Sequence, residues 1–247
     1  MFGTVFTFEI RYHLTRPITW FYFAIFLTLG FFFMGSDAVQ MGGGVGAVKR
    51  NSPWVIGQSM LILVAIGQVI LTGLVGTAVL RDYQFKTHEL LFTTPITRFA
   101  YLGGRFAGAF VVMLIVHLGI PAGLLLGPLM PWVDHVKMLP PDLGRTLLQF
   151  GTLVVPTVLL LSAIFFAVGA LTRSLFAIYT QGIILLVIWG VTGQMLANLS
   201  DQRLAALADP FGIQAFALLT RYWTVAEKNG LAVPLSGVML EDRKSVV

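Results

Sequence analysis

Residues 81–105 read RDYQFKTHELLFTTPITRFAYLGGR, and they lie between two apolar runs of membrane length. Neither 51–80 nor 106–133 contains an Asp, Glu, Lys or Arg. About 20 consecutive apolar residues suffice for a helix to cross a bilayer, so the polar stretch between the runs is expected to stand outside it. Its own pattern is not that of a plain turn. Glu89, Leu90, Leu91 and Phe92, followed by Thr94-Pro95, predict a short amphipathic helix closed by a proline turn.

The rest of the chain carries the same signature. It is 57% hydrophobic and 11% charged, with a mean hydropathy of +0.85, whereas soluble domains carry roughly 25% charged residues. The apolar runs are continuous rather than alternating, which predicts helices and not barrel strands. The fold class is therefore read as all-α integral membrane. Five transmembrane helices are expected, at about 17–36, 54–80, 106–130, 146–172 and 175–197, within a membrane domain covering 1–200. Residues 1–16 place Phe2, Val5, Phe6 and Ile10 on one helix face beside Glu9, Arg11 and Arg16, and Pro17 follows. They are expected to form an interfacial helix lying on the membrane; the competing reading makes them the first turns of the first span. Residues 201–240 contain no window able to span and are expected to be an extramembrane loop segment with one or two short amphipathic helices.

Charge and composition exclude several functions. The net charge of +5 is spread over the chain without a run of five basic residues, so it does not form a nucleic-acid patch. The absence of cysteine excludes disulfides, thiolate metal sites and cysteine nucleophiles. The charged start and the long first run argue against a cleavable signal peptide. Lys and Arg divide seven and seven between the two sides that the five spans define. The positive-inside tendency therefore rests on the 81–105 cluster, whose side is expected to be cytoplasmic.

No catalytic constellation is visible. The Gly42–Gly46 cluster lacks the following Lys-Ser or Lys-Thr of a phosphate-binding loop, so no ATP hydrolysis is expected in this chain, and no enzyme activity of its own. His13, His88, His117 and His135 are scattered without a metal-ligand spacing, and no metal site is expected. His117 falls inside the third run and is read as a neutral histidine bonded to a neighbouring helix. The lack of mid-span acids and bases counts against an ion-coupled carrier. Gly104-x-x-x-Gly108 and Gly73-x-x-Gly76 offer close helix packing, and Pro156 predicts a kink in the fourth span.

The last six residues, Asp242-Arg243-Lys244-Ser245-Val246-Val247, match what a common sequencing adapter encodes in one frame (GAT CGG AAG AGC GTC GTG TAG). Residues 242–247 are thus expected to be adapter-derived, and the native gene is expected to continue past Leu240.

The string Glu89-Leu90-Leu91-Phe92-Thr93-Thr94-Pro95-Ile96-Thr97-Arg98, entered from a run ending Arg81-Asp82, resembles the permease subunits of type-2 ABC exporters, over essentially residues 1–200. The wording LLFTTPI and YLGGRF is similar to a bacterial subgroup, some of whose members carry an aminopeptidase-like domain after the membrane part. The resemblance implies six spans, of which the sixth is missing here. It implies that residues 1–16 are the connecting helix, and that the 81–105 segment is a cytoplasmic coupling helix contacting a separate ATPase subunit. Phe85, Glu89, Leu90, Leu91, Thr94 and Pro95 are the docking residues so implied, and Gly104 and Gly108 the helix-packing residues. ATP and Mg would be bound by the partner ATPase, with a second permease half completing the transporter and lipid around it. The expected function is ATP-driven export; the alternative is a membrane anchor for a larger enzyme such as a membrane-bound aminopeptidase.

Overall fold

A computed structural model describes residues 1–36, 47–85, 96–195 and 202–232. No strand occurs among them. Helix α1 (Phe2–Leu14) is followed by five helices long and apolar enough to cross a membrane: α2 (Pro17–Gly35), α3 (Pro53–Asp82), α4 (Arg98–Leu129), α5 (Leu143–Thr172) and α6 (Leu175–Met195). Three short helices follow, α7 (Gln202–Ala208), α8 (Ile213–Leu219) and α9 (Val225–Gly230). The expected helix at 86–95, the Gly42–Gly46 loop and the 242–247 tail lie outside the described residues.

Helix starts follow from local chemistry. Pro17 and Pro53 open α2 and α3, positions where the missing N–H costs no hydrogen bond. Side-chain oxygens of Ser52, Thr97 and Asp142 accept the amides of Val55, Ala100 and Arg145 and cap α3, α4 and α5. Helix α4 therefore begins at Arg98, eight residues before the apolar count places it, because Thr97 supplies a cap and Arg105 is neutralised by partners on other helices. At the far end of α5, Arg173 takes a left-handed conformation (φ 51, ψ 29) and its amide bonds Gly169 O. That two-residue reversal joins α5 to α6.

Helix α3 is the hub: 67% of its apolar window is buried, against 22% for α6. Met60, Leu63 and Val64 from α3 meet Val116 and Ile120 from α4 and Val158 and Leu161 from α5 in one core. Two helices contain a wider, π-type turn, Thr72–Gly76 in α3 and Phe150–Val154 in α5. The second lies immediately before Pro156, whose ring clashes with the carbonyl four residues back in a regular helix. The wide turn absorbs the disturbance expected there as a kink.

Glycine sets the closest contact. Gly119, Gly123 and Gly127 recur every four residues on α4 and face α2. A Cβ at Gly123 would sit 2.2 Å from Leu27 O, and one at Gly119 2.6 Å from Phe23 O. Gly30 answers from α2, where a Cβ would lie 2.7 Å from Ile120 O. Backbones this close gain dispersion contacts and Cα–H···O interactions that larger residues forbid.

Helix α1 forms as expected, with Phe2 and Phe8 exposed by 41% and 56% and Glu9 buried. Phe2, Val5 and Phe6 pack on the first turns of α4, because Gly104 and Gly108 leave room: a Cβ there would meet Val5 Cβ at 2.9 Å and Glu9 Cβ at 2.6 Å. Helix α1 thus runs alongside the start of α4, and α2 runs alongside its later turns.

One expectation needs correction: the described residues of the 201–240 segment form three short helices rather than one or two. Helix α8 packs into α3 and α5. Phe216 lies against Gly57, and Gly212, at φ 75, lies beside Leu61 and Thr157. Leu61 is eight residues into α3, about 12 Å along its axis. Phe211 is fully buried, edge-on to Trp189. Asp209 shapes the bend by accepting Phe211 N at 3.0 Å and Gln214 N at 2.5 Å. Burial raises its carboxyl above the ordinary range, against those backbone donors.

Candidate functional site

The chemistry of this chain concentrates where α3 ends, α4 begins and α1 lies across both. Glu9 on α1 is fully buried. Its Oε2 accepts Arg81 Nη2 at 2.5 Å and Arg105 Nη1 at 2.9 Å, and its Oε1 lies 3.0 Å from His13 Nε2. The other fork of Arg105 donates to Asp82, and Tyr101 Oη donates to the same Asp82 Oδ2 at 2.5 Å. The Tyr12 ring faces two guanidiniums, Arg81 at 3.9 Å and Arg16 at 4.4 Å.

Local geometry assembles these groups. Tyr101 and Arg105, four residues apart, share one face of α4, and Glu9 and His13 share one face of α1. Arg81 and Asp82 are adjacent at the end of α3, so one reaches Glu9 while the other reaches Arg105. Two carboxylates and two guanidiniums leave the cluster close to neutral, which is the condition for burying them. Burial would push the Glu9 carboxyl up. The His13 hydrogen bond and the charges of Arg81 and Arg105 outweigh it and hold the group below its ordinary 4.5.

The cluster bonds together three chain segments, and two of them flank residues 86–95. Of the predicted docking residues, Phe85 lies just past the end of α3 and is 71% exposed; Glu89, Leu90, Leu91, Thr94 and Pro95 lie outside the described residues. Gly104 and Gly108 are at the α1 contact, one turn from Tyr101 and Arg105. Gly76 is where α3, α5 and α6 converge, since a Cβ on it would lie 2.6 Å from Ile178 Cγ2, whereas Gly73 faces open space. Sequence reasoning missed Glu9, Asp82, Tyr101 and Arg105 as a unit. The available signal was a set of charges at the edges of apolar runs, where an unpaired charge is too costly to keep.

His117 is buried and its Nδ1 donates to Met113 O at 2.8 Å. The partner is thus its own helix, one turn back, not a neighbouring helix as expected. The ring lies 4.6 Å from that of Phe26. Gln68 makes the interhelical bond instead, its Nε2 reaching Gly182 O at 3.1 Å from α3 to α6. Among the described residues no three His, Cys, Asp or Glu are grouped to hold a metal. No protein-family model, no curated protein and no solved structure matches this chain.

Proposed function

We propose that this chain is the permease subunit of an ATP-driven ABC exporter. In this reading it is multi-pass in the cell's inner membrane, with α1 and the 81–105 segment in the cytoplasm. The observation that carries the reading is the buried ion cluster Glu9–Arg81–Arg105–Asp82, which joins the two helix ends flanking 86–95. A separate ATPase subunit binds ATP and Mg and docks on that segment through Phe85, Glu89, Leu90, Leu91, Thr94 and Pro95. Because α3 and α4 are bonded to each other and to α1 at their bases, a push on the segment moves them together. Without that bonding, the push would be absorbed by bending the connection. Helix α4 carries α2 with it through the glycine contacts, and a second permease half provides the opposing wall of the path.

The test is the double variant Glu89→Lys/Leu91→Asp, expressed with a candidate ABC ATPase subunit from the same genome. Stimulated ATPase activity is expected to disappear while membrane insertion is retained. Normal stimulation in the variant would remove the docking role, and an ATPase that fails to associate with the wild-type chain would remove the transporter reading itself.

A further inference from the structure

Where α1 turns into α2, the chain builds a fixed corner. The last carbonyls of α1 are taken by the chain's own side chains: Thr15 Oγ1 donates to Arg11 O at 2.9 Å, Thr19 Oγ1 to His13 O at 2.7 Å and Trp20 Nε1 to Leu14 O at 2.9 Å. Pro17 then opens α2. Arg16 therefore stands at the entry of a helix long and apolar enough to cross a membrane.

Positive charge is in excess at this corner. Arg81 and Arg105 spend theirs on Glu9 and Asp82, both buried. Arg16 has no such partner. Its guanidinium lies 4.4 Å from the centre of the Tyr12 ring, which Arg81 also approaches, at 3.9 Å. The Arg16 side chain makes no hydrogen bond or ion pair among the described residues, and neither does that of Arg11, exposed in the last turn of α1. Cations at the opposite end of the bundle differ. Lys49 and Arg50 donate to the carbonyls of Val136 and Ser36. Lys137 and Arg145 pair with Asp134 at 3.3 Å and Asp142 at 3.0 Å. Those four are matched within the chain, whereas Arg16 requires an anion from outside it.

Apolar surface adjoins the unmatched charge. Ile18, Trp20 and Phe21, in the first turns of α2, are 47%, 51% and 59% exposed. Aromatic residues at the end of a span sit at headgroup depth, and a guanidinium there presents several N–H donors to phosphate oxygens.

We infer that the α1–α2 corner binds an acidic phospholipid, with its phosphate on Arg16 and its acyl chains along Ile18 and Phe21. A zwitterionic lipid brings its own cation and leaves the charge of Arg16 and Arg11 unmatched. Free phosphate matches the charge but not the apolar surface. The inference rests on α2 crossing the membrane and is independent of the ATPase and of transport.

The test is native mass spectrometry of the full chain in detergent, offered equal amounts of dioleoylphosphatidylglycerol and dioleoylphosphatidylcholine. The first lipid bound is expected to be the glycerol lipid by about tenfold, the order that one charge-assisted hydrogen bond implies. Arg16→Gln should bring the ratio close to one. Arg98→Gln should leave it unchanged: Arg98 is exposed at the start of α4, about 15 Å along that helix from the Glu9 contact at Gly108. Excess inorganic phosphate should not displace the lipid. Equal binding of the two lipids by the wild-type chain overturns the inference, as does a preference that survives Arg16→Gln or disappears equally in Arg98→Gln. Displacement by inorganic phosphate would make the corner a site for the free anion and overturn the lipid assignment. Should Arg16→Gln fail to fold, the wild-type comparison and the phosphate competition decide without it. A chain that stays monodisperse without detergent would remove the membrane reading and this inference with it; the other outcomes bear on the corner alone.

Discussion

Arg105 Nη1 lies 2.9 Å from Glu9 Oε2 although 96 residues separate them, and the contact closes the N-terminal helix onto the base of α4. Removing one member of such a pair leaves the other buried and uncompensated, which typically costs 3–5 kcal/mol. Glu9→Gln and Arg105→Gln should each destabilise the chain by about that order, and the double variant by clearly less than their sum. Thermal unfolding in detergent micelles measures the cycle. Simple additivity would mean that the two groups do not act as a pair.

The same carboxylate predicts a pH dependence. Its folded pKa is lowered from 4.5, so the folded state holds fewer protons on this group than the unfolded state below that value. The stability it confers is complete above pH 4.5 and is lost as pH falls through its lowered value. Asp209, raised from 3.8, acts in the opposite sense: between 3.8 and its raised value, stability increases as pH falls. The difference between the wild-type chain and Glu9→Gln isolates the first effect. A difference that stays constant down the acid limb would contradict it.

Glycines on the long helices divide into two kinds. A Cβ at Gly123 would strike Leu27 O at 2.2 Å, whereas one at Gly190 meets nothing within 4 Å. Gly123→Ala should destabilise by at least about 1–3 kcal/mol through overpacking. Gly190→Ala should be neutral or stabilise by up to about 1 kcal/mol, since alanine is the better helix former. Equal effects of the two changes would show that α2 and α4 are not in close contact.

The burial of the α7–α8 region can be read chemically because the chain has no cysteine. Phe211→Cys introduces a single thiol at a fully buried position, and Leu207→Cys one at a position 84% exposed. A water-soluble maleimide should label the second quickly and the first only after unfolding. Fast labelling of both would place this segment outside the helix bundle.

Much of the architecture was legible because the bilayer criterion is severe. An apolar run of about 20 residues without charge has few alternatives to helix, and all five expected runs are helices. Boundaries were less accurate where charges are paired: the start of α4 was displaced to 106 because Arg105 looks like a loop residue until Glu9 and Asp82 are brought beside it. Glu9 read as the polar side of a surface helix for the same reason. The packing of α8 was invisible because the apolar stretch Ala215–Leu219 is far too short to span, and only the tertiary gap left by Gly57 gives Phe216 a place. The Gly119-Gly123-Gly127 series was readable by its four-residue spacing, yet spacing alone does not say which helix it faces.

The wide turns in α3 and α5 can be described as single-residue insertions. A π-type turn holds one residue more than the α-helix around it while the flanking segments keep their orientation. Deleting one residue from Thr72–Gly76, with Gly73 the natural choice because nothing surrounds it, would restore even winding and leave Gln68 and Gly76 still directed at α6. Deleting one residue elsewhere in α3 would rotate everything beyond it by about 100°. The two wide turns are thus the places where these helices can change length without changing partners.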